Sequence, residues 1–134
     1  MPETLRTRLA HEESGFTLIE LLVVLVIIGI LLAIAVPSYL GFKDRANKRA
    51  AQSNLRAAIP SAEAFYSDNG TYSNMTLASL TAIDSGISQS ISISGAGSSS
   101  YCLGITVGNQ TWGVKGPGAT WYQSATCGGS SVSP

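Results

Sequence analysis

The most distinctive pattern in this chain is a long apolar run that carries a single charge near its beginning. From Phe16 to Val36, over 21 residues, the only polar side chains are Thr17 and Glu20. As an α-helix this run is about 31 Å long, which matches the hydrocarbon thickness of a bilayer. A helix buried in a soluble core would keep a polar stripe, and none follows Glu20. The pattern predicts a membrane-spanning helix over residues 16–36.

From Ser38 to about Ser67 the pattern remains helical and becomes amphipathic. Apolar residues recur at spacings of three and four, which is typical of one buried helix face. These residues are Ala51, Leu55, Ala58, Ile59, Ala62, Phe65 and Tyr66. The residues expected off that face are Lys48, Arg49, Arg56 and Glu63. We therefore expect a helix with an apolar first half and an amphipathic second half.

Two prolines interrupt this helical pattern without ending it. Because apolar periodicity continues on both sides of Pro37 and Pro60, we expect kinks there rather than helix ends. Asn69 and Gly70 suit a helix C-terminus followed by a turn. The sequence thus predicts one long helix over residues 16–68 and a separate globular domain over residues 69–134.

Short alternating segments separated by turn residues follow the helix. They are "ISQSISIS" (87–94), "YCLGITV" (101–107), "TWGVK" (111–115) and "ATWYQSAT" (119–126). They predict an antiparallel sheet of three or four short strands, with Tyr101, Leu103, Ile105 and Val107 on one face. "TLASL" (76–80) indicates a short helical turn. The fold class is α+β, with the amphipathic half of the helix packed on the sheet.

The two cysteines, Cys102 and Cys127, both lie in the second half of the chain. Because the apolar span implies export, an even cysteine count predicts one disulfide bond. A full final strand in a plain meander would hold the two cysteines at opposite ends of the sheet, beyond disulfide reach. Either the last strand stops near Tyr122 and the chain curls back, or the strand order is not a meander. We favour the curl-back.

Charge is sparse and unevenly distributed. The formal net charge is zero and only 12% of residues are charged, which argues against a nucleic-acid binder. Residues 43–56 hold five basic residues and one acid, whereas residues 57–134 hold three acids and one base. A positive-inside count would place the C-terminal side of the span in the cytoplasm. The cysteines and the polar second half favour the opposite orientation, which we adopt.

The stretch "GFTLIE" (15–20), followed by a 16-residue apolar run, resembles the N-terminal signature of type IV pilins and the related secretion pseudopilins. The resemblance covers about the first 55 residues closely. It extends loosely to the plan of long helix, loop, small sheet and C-terminal disulfide. It implies that residues 1–15 are a leader that a prepilin peptidase removes at the Gly15–Phe16 bond. Phe16 would then become the N-methylated terminus.

The same resemblance implies an assembly role for four residues. Glu20 would pair with the terminal amine of Phe16 in a neighbouring subunit, which fixes the axial register between subunits. Gly29 and Pro37 match positions at which the family's helix loosens. Two alternatives remain open: Glu20 could snorkel or cap the helix start, and Gly29 could mark a close helix–helix contact.

We therefore expect a structural subunit of a type IV pilus. It would be stored in the inner membrane as a single-pass protein with its C-terminal domain outside, and then polymerised into an extracellular fibre. Its partners would be copies of itself, the prepilin peptidase, the inner-membrane assembly platform and, before assembly, membrane lipid. One alternative is a pseudopilin of a type II secretion or competence system. Another is a membrane-anchored binding module that never polymerises.

Side chains for catalysis or metal binding are scarce. His11 is the only histidine and lies in the expected leader, and no nucleophilic triad, metal-ligand spacing or phosphate-binding loop is evident. We expect no enzyme activity, metal or cofactor. Major pseudopilins often carry a calcium site and lack the disulfide. This sequence has no convincing calcium-site pattern and has two cysteines, and both differences favour a pilin. The Asn-x-Thr triplets at Asn69, Asn74 and Asn109 are interpreted as turn residues rather than glycan acceptors.

Overall fold

A computed structural model describes residues 15–134. Residues 1–14 of the predicted leader (residues 1–15), which include His11, lie outside the described residues. The chain divides into two compact units, one ending at Gly41 and one covering Phe42–Pro134.

Helix α1 covers Leu18–Asn69 and has 52 residues. Pro37 and Pro60 both lie within it, so the alternative that either proline ends the helix is wrong. The helix ends at Asn69, one residue after the predicted end, because Gly70 adopts a left-handed φ of 70°. The Gly70 N–H donates to the Tyr66 carbonyl at 2.7 Å, which completes this C-terminal cap.

In the first unit, every residue from Gly15 to Leu40 is exposed. The helix is long and apolar enough to cross a membrane, and none of its most apolar stretch is buried. Apolar side chains such as Leu18 (86% exposed) and Ile34 (68% exposed) have no cover within the described chain. This surface needs lipid or other protein chains to cover it.

The second unit contains a short helix, α2 (Leu77–Ile83), and a four-stranded sheet. The strands are β1 (Ser92–Ser94), β2 (Tyr101–Val107), β3 (Gln110–Gly116) and β4 (Thr120–Tyr122). They are antiparallel in the order β1-β2-β3-β4. The predicted α+β fold class is confirmed. The short helix is capped by Thr76, whose side chain accepts a hydrogen bond from the Ser79 N–H.

The first strand is shorter than the sequence predicts. Residues 87–91 form turns rather than a strand, because the Ile87 and Ile91 N–H groups donate to carbonyls three residues earlier, at 3.4 Å. Both side chains are buried, so these two isoleucines contribute to the core although they lie in turns. β4 ends at Tyr122, where the chain leaves the sheet.

The core of the second unit forms between the amphipathic part of α1 and one face of the sheet. Ala51, Leu55, Ala58 and Ala62 are fully buried, as the helical spacing predicts. They share one hydrophobic cluster with Leu103, Ile105, Trp112 and Val114. Tyr66, expected on this face, is instead 40% exposed.

Two basic side chains predicted to lie off the core face cover the edges of the core. The Lys48 ammonium lies 5.1 Å from the Trp112 ring centroid, and the Arg56 guanidinium lies 5.2 Å from that of Trp121. Such cation–π contacts stabilise by about 0.5–1 kcal/mol at exposed sites. The aliphatic stems of these side chains also shield apolar surface from water.

Glu63 is closer to the core than its expected position off the buried face indicates. Its carboxylate accepts hydrogen bonds from the hydroxyls of Tyr72 at 3.0 Å and Tyr101 at 3.3 Å. Burial, reinforced by this carboxylate, raises the pKa of Tyr72 to about 12 and raises the pKa of Tyr101 as well. Glu63 thus ties α1 to the loop after it and to β2.

We expect the fold to lose stability as the pH rises above about 10, the ordinary pKa of tyrosine. Both tyrosines have a raised pKa in the folded state, so their contribution is complete below 10 and is lost as pH rises through about 12 for Tyr72. In Glu63→Gln the Tyr72 pKa should fall but stay above its ordinary value, because burial is its largest cause. Tyrosinate absorbance during alkaline titration measures this. An unchanged titration curve would contradict the predicted coupling.

Tyr101, Leu103 and Ile105 lie in the core on one face of β2, as predicted. The second face of the sheet is also covered. All five residues from Tyr101 to Ile105 are buried. Gly104 and Gly113 are paired across β2 and β3. A Cβ at either glycine would fall against the carbonyl oxygen of Ala125 or Ser124. The segment 123–127, called the C-terminal strap below, therefore crosses the sheet directly over these glycines.

A disulfide bond between Cys102 and Cys127 joins the end of the strap to β2, with a Cα–Cα distance of 6.0 Å. Because β4 stops at Tyr122 and the sheet is a plain meander, the predicted curl-back is confirmed. Beyond the strap, the Val132 N–H donates to the Trp121 carbonyl at 2.8 Å. The segment after β4 is thus held at two residues, Cys127 and Val132.

Gln52 is a buried polar residue that the sequence pattern does not predict. It is 1% exposed, and neither atom of its amide has a hydrogen-bond partner among residues 15–134. Leaving such a group unsatisfied costs about 1–3 kcal/mol. Methionine has a similar length and good helix propensity. Gln52→Met is therefore expected to stabilise the fold by about 1 kcal/mol or more.

Urea denaturation of the full chain in detergent measures this effect. Gln123→Met, at an exposed position, is the matched control and should leave the midpoint unchanged. A destabilised Gln52→Met variant would show that the buried amide contributes favourably to the fold.

Candidate assembly site

The start of α1 is shaped by a reciprocal pair of hydrogen bonds between Thr17 and Glu20. The Thr17 hydroxyl oxygen accepts from the Glu20 N–H at 3.2 Å. The Glu20 carboxylate accepts from the Thr17 N–H, also at 3.2 Å. This is a capping box, which satisfies two backbone donors that the first helical turn leaves free. The Thr-x-x-Glu spacing of a capping box is visible in the sequence, but the predicted assembly residues do not include Thr17.

The cap gives Glu20 a local structural role. It agrees with the alternative that Glu20 caps the helix start. Its negative charge in the first turn also interacts favourably with the positive end of the helix dipole. Glu20 and Phe16 are both exposed, and Phe16 is 75% exposed. Capping therefore leaves the carboxylate accessible to another chain, and the two roles are compatible.

Gly15 and Phe16 lie just before the helix and outside regular secondary structure. Both residues are exposed. Peptidases require a segment that can adopt an extended conformation in their cleft, and exposed non-helical backbone meets that need. The bond between these residues therefore lies in exposed backbone before the helix.

Gly29 and Pro37 lie further along α1, nine and 17 residues after Glu20. At 1.5 Å per residue these separations are about 13 and 25 Å, so one chain does not bring the three residues together. A Cβ at Gly29 would meet no atom within 4 Å. The folding of a single subunit therefore does not require glycine at this position.

Within residues 15–134, no group of three or more His, Cys, Asp or Glu side chains is arranged to hold a metal ion. Asp44 instead accepts a hydrogen bond from the Asn109 side-chain amide at 2.8 Å. Asp84 accepts from the Gly86 N–H at 2.9 Å. Both carboxylates thus have local structural partners.

Comparison with known proteins assigns the family. A model described as the prokaryotic N-terminal methylation motif matches residues 11–36. The type IV wide pilus major component PilA4 of Thermus thermophilus is 34% identical over 116 residues, covering 84% of this chain and 88% of that protein. This chain belongs to the type IV pilin family. The resemblance inferred from "GFTLIE" is confirmed.

Two other relatives match about half of this pilin. The type IV major pilin protein PilA of Myxococcus xanthus is 41% identical over 68 residues, or 51% of this chain and 31% of that protein. The type II secretion system core protein G of Escherichia coli is 39% identical over 65 residues, or 48% of this chain and 45% of that protein. The match thus spans less than half the length of either relative. No solved structure matches this pilin.

Proposed function

We propose that this pilin is the structural subunit of a type IV pilus, held in the inner membrane before assembly and polymerised into an extracellular fibre. The observation that carries this proposal is the similarity to a major pilus component over 84% of the chain. The exposed apolar surface of residues 16–36 supports it, because such a surface is stable in lipid or in a bundle of identical helices. We assign the subunit no enzymatic role.

Processing would precede assembly. A prepilin peptidase would cut between Gly15 and Phe16, remove residues 1–15 as a leader and leave Phe16 as a methylated terminal amine. The match to a methylation motif over residues 11–36 supports this step. The exposed, non-helical backbone at the bond supports it independently.

Assembly would then use the Glu20 carboxylate and the Phe16 amine of a neighbouring subunit. Identical apolar helices pack at several axial shifts with similar energy, because their contacts are non-directional. A buried pair of opposite charges favours one shift over the others, as polar groups do in coiled coils. The inner-membrane assembly platform would supply subunits to the growing fibre. Loosening of α1 between Gly29 and Pro37 would adapt the helix to the fibre.

Mass analysis of material sheared from cells tests this function. We expect an abundant chain that begins at N-methylated Phe16 and contains the Cys102–Cys127 disulfide. A chain still beginning before Phe16 and found only in membranes would refute the proposal. That result would indicate a membrane-anchored binding module instead.

A second candidate, a pseudopilin of a type II secretion or competence system, is supported by one observation. Core protein G of type II secretion is 39% identical over nearly half of this chain. That match covers 48% of this chain, whereas the match to the pilus component covers 84% of it. A pseudopilin would remain in short periplasmic fibres, so recovery of the chain in long sheared fibres would exclude it.

A further inference from the structure

Three tyrosine rings, called the tyrosine stack below, run from the surface of the second unit into its core. Tyr66 is 40% exposed, and its ring centroid lies 4.6 Å from that of Tyr72. The Tyr72 centroid lies 4.7 Å from that of Tyr101, and both of these side chains are buried. These separations are at the short end of aromatic contact distances. An electron can therefore pass from ring to ring between the core and the exposed Tyr66.

The Glu63 carboxylate is a proton acceptor shared by the two buried hydroxyls of the stack. The Tyr72 hydroxyl donates to both carboxylate oxygens, at 3.1 and 3.0 Å. The Tyr101 hydroxyl donates to one of them at 3.3 Å. Loss of one electron makes a tyrosine hydroxyl strongly acidic, and a base already within hydrogen-bond distance takes the proton without rearrangement. Glu63 is half-buried, so the proton can then pass on to water.

The two buried tryptophans of the same core have the opposite electrostatic surroundings. The Lys48 ammonium lies 5.1 Å from the Trp112 ring centroid, and the Arg56 guanidinium lies 5.2 Å from that of Trp121. A cation at this distance repels the radical cation that loss of an electron would leave on the ring. The Trp112 N–H donates to the Gln110 amide oxygen at 3.3 Å, and an amide is not a base at neutral pH. Charge therefore directs oxidation away from the tryptophans and toward the tyrosine stack.

We propose that the tyrosine stack is a one-electron donor site, which one-electron oxidants such as oxidising metal complexes or oxygen-centred radicals reach at Tyr66. The oxidant gains one electron, the O–H bond of Tyr72 breaks, and its proton moves to Glu63. The products are a neutral Tyr72 phenoxyl radical, a protonated Glu63 and the reduced oxidant. Because Tyr72 and Tyr101 share one carboxylate, the stack holds one oxidising equivalent at a time. The inference concerns the folded subunit and does not depend on polymerisation.

Flash photolysis of the full chain in detergent, with ruthenium tris-bipyridine and persulfate, tests this site. The ruthenium(III) complex formed by the flash takes one electron, and optical and electron paramagnetic resonance spectra record the radical. Tyr39→Phe/Tyr122→Phe is the parent background, because it removes the two tyrosines outside the stack. We expect a tyrosyl radical there that Tyr72→Phe abolishes or moves to Tyr101. Glu63→Gln should slow its formation about a hundredfold, because a positioned base contributes at least that much to proton transfer.

The buffer gives a second readout, which a purely structural role of Glu63 would not affect. With an internal proton acceptor, the rate of radical formation in the parent should not depend on buffer concentration. In Glu63→Gln the proton must leave to solvent, so the rate should rise with buffer concentration. The measurement on the parent leaves the stack and Glu63 unaltered, so it remains decisive even where Glu63→Gln fails to fold.

Several results would overturn the assignment. A radical that appears first on tryptophan would show that the cations do not protect those rings. Equal rates for Glu63→Gln and the parent would show that the carboxylate does not take the proton. A parent rate that rises with buffer concentration would lead to the same conclusion. Lys115→Gln, which removes an exposed charge outside the stack, is the matched control and should leave the rate unchanged.

Discussion

Glu20→Gln is expected to leave membrane insertion and the start of α1 intact and to reduce the yield of sheared fibres about a hundredfold or more. The glutamine oxygen can still accept the Thr17 N–H, so the capping geometry survives. The charge is lost, and the neighbouring Phe16 amine remains unpaired among apolar helices. Removing one partner of a buried ion pair costs about 3–5 kcal/mol. Immunoblots comparing sheared and cell-associated chain measure the yield.

Thr17→Ala is the matched control for this experiment, because it removes the cap and keeps the charge. Loss of an N-cap costs about 1 kcal/mol, so fibres should form at moderately reduced yield. Glu20→Ala removes both functions and should assemble no better than Glu20→Gln. Normal fibres from Glu20→Gln would show that the carboxylate acts only as a helix cap, and the register proposal would fail.

Features of the fold set by neighbouring residues were predictable. The end of α1 at Asn69 follows from Gly70, the residue type that best tolerates a left-handed φ. The strand β2 was located to the residue, since alternation and flanking turns define it. The curl-back after β4 followed from disulfide reach, which is a geometric limit rather than a preference.

Contacts between distant parts of the chain were not predictable from pattern. Glu63 bonds Tyr101, which lies 38 residues away, and nothing in the helical spacing signals that partner. The strap over Gly104 and Gly113 depends on strand register, which pairs these two glycines. The alternating sequence of β2 predicts one buried face. The pattern does not show whether another segment covers the opposite face.

The candidate site also has a local part, which could be predicted, and a part between chains, which could not. The cap between Thr17 and Glu20 is local, and its spacing makes it readable from the sequence. Pairing of Glu20 with Phe16 lies between subunits, so the fold of one chain does not contain it. Family resemblance supplied that part of the inference, and the Glu20→Gln experiment tests it.

Gly104→Ala is expected to destabilise the globular unit by about 3 kcal/mol or more, although it adds one methyl group. The new Cβ would fall against the Ala125 carbonyl, so the strap must lift away from the sheet. Overpacking of this kind costs about 1–3 kcal/mol. Displacing the strap also hinders closure of the Cys102–Cys127 bond, which contributes about 3 kcal/mol for a loop of this length. Urea denaturation of the full chain and titration of free thiols measure the two effects.

Gly118→Ala is the matched control, because a Cβ there meets open space, and its stability should be nearly unchanged. The decisive comparison uses a Cys102→Ser/Cys127→Ser background. Without the disulfide the strap is free to move, so Gly104→Ala should cost less there than in the oxidised chain. Such non-additivity is the expected sign that two changes act through one contact. Equal costs in both backgrounds would mean that Gly104 affects the strands themselves and that the disulfide does not hold the strap against them.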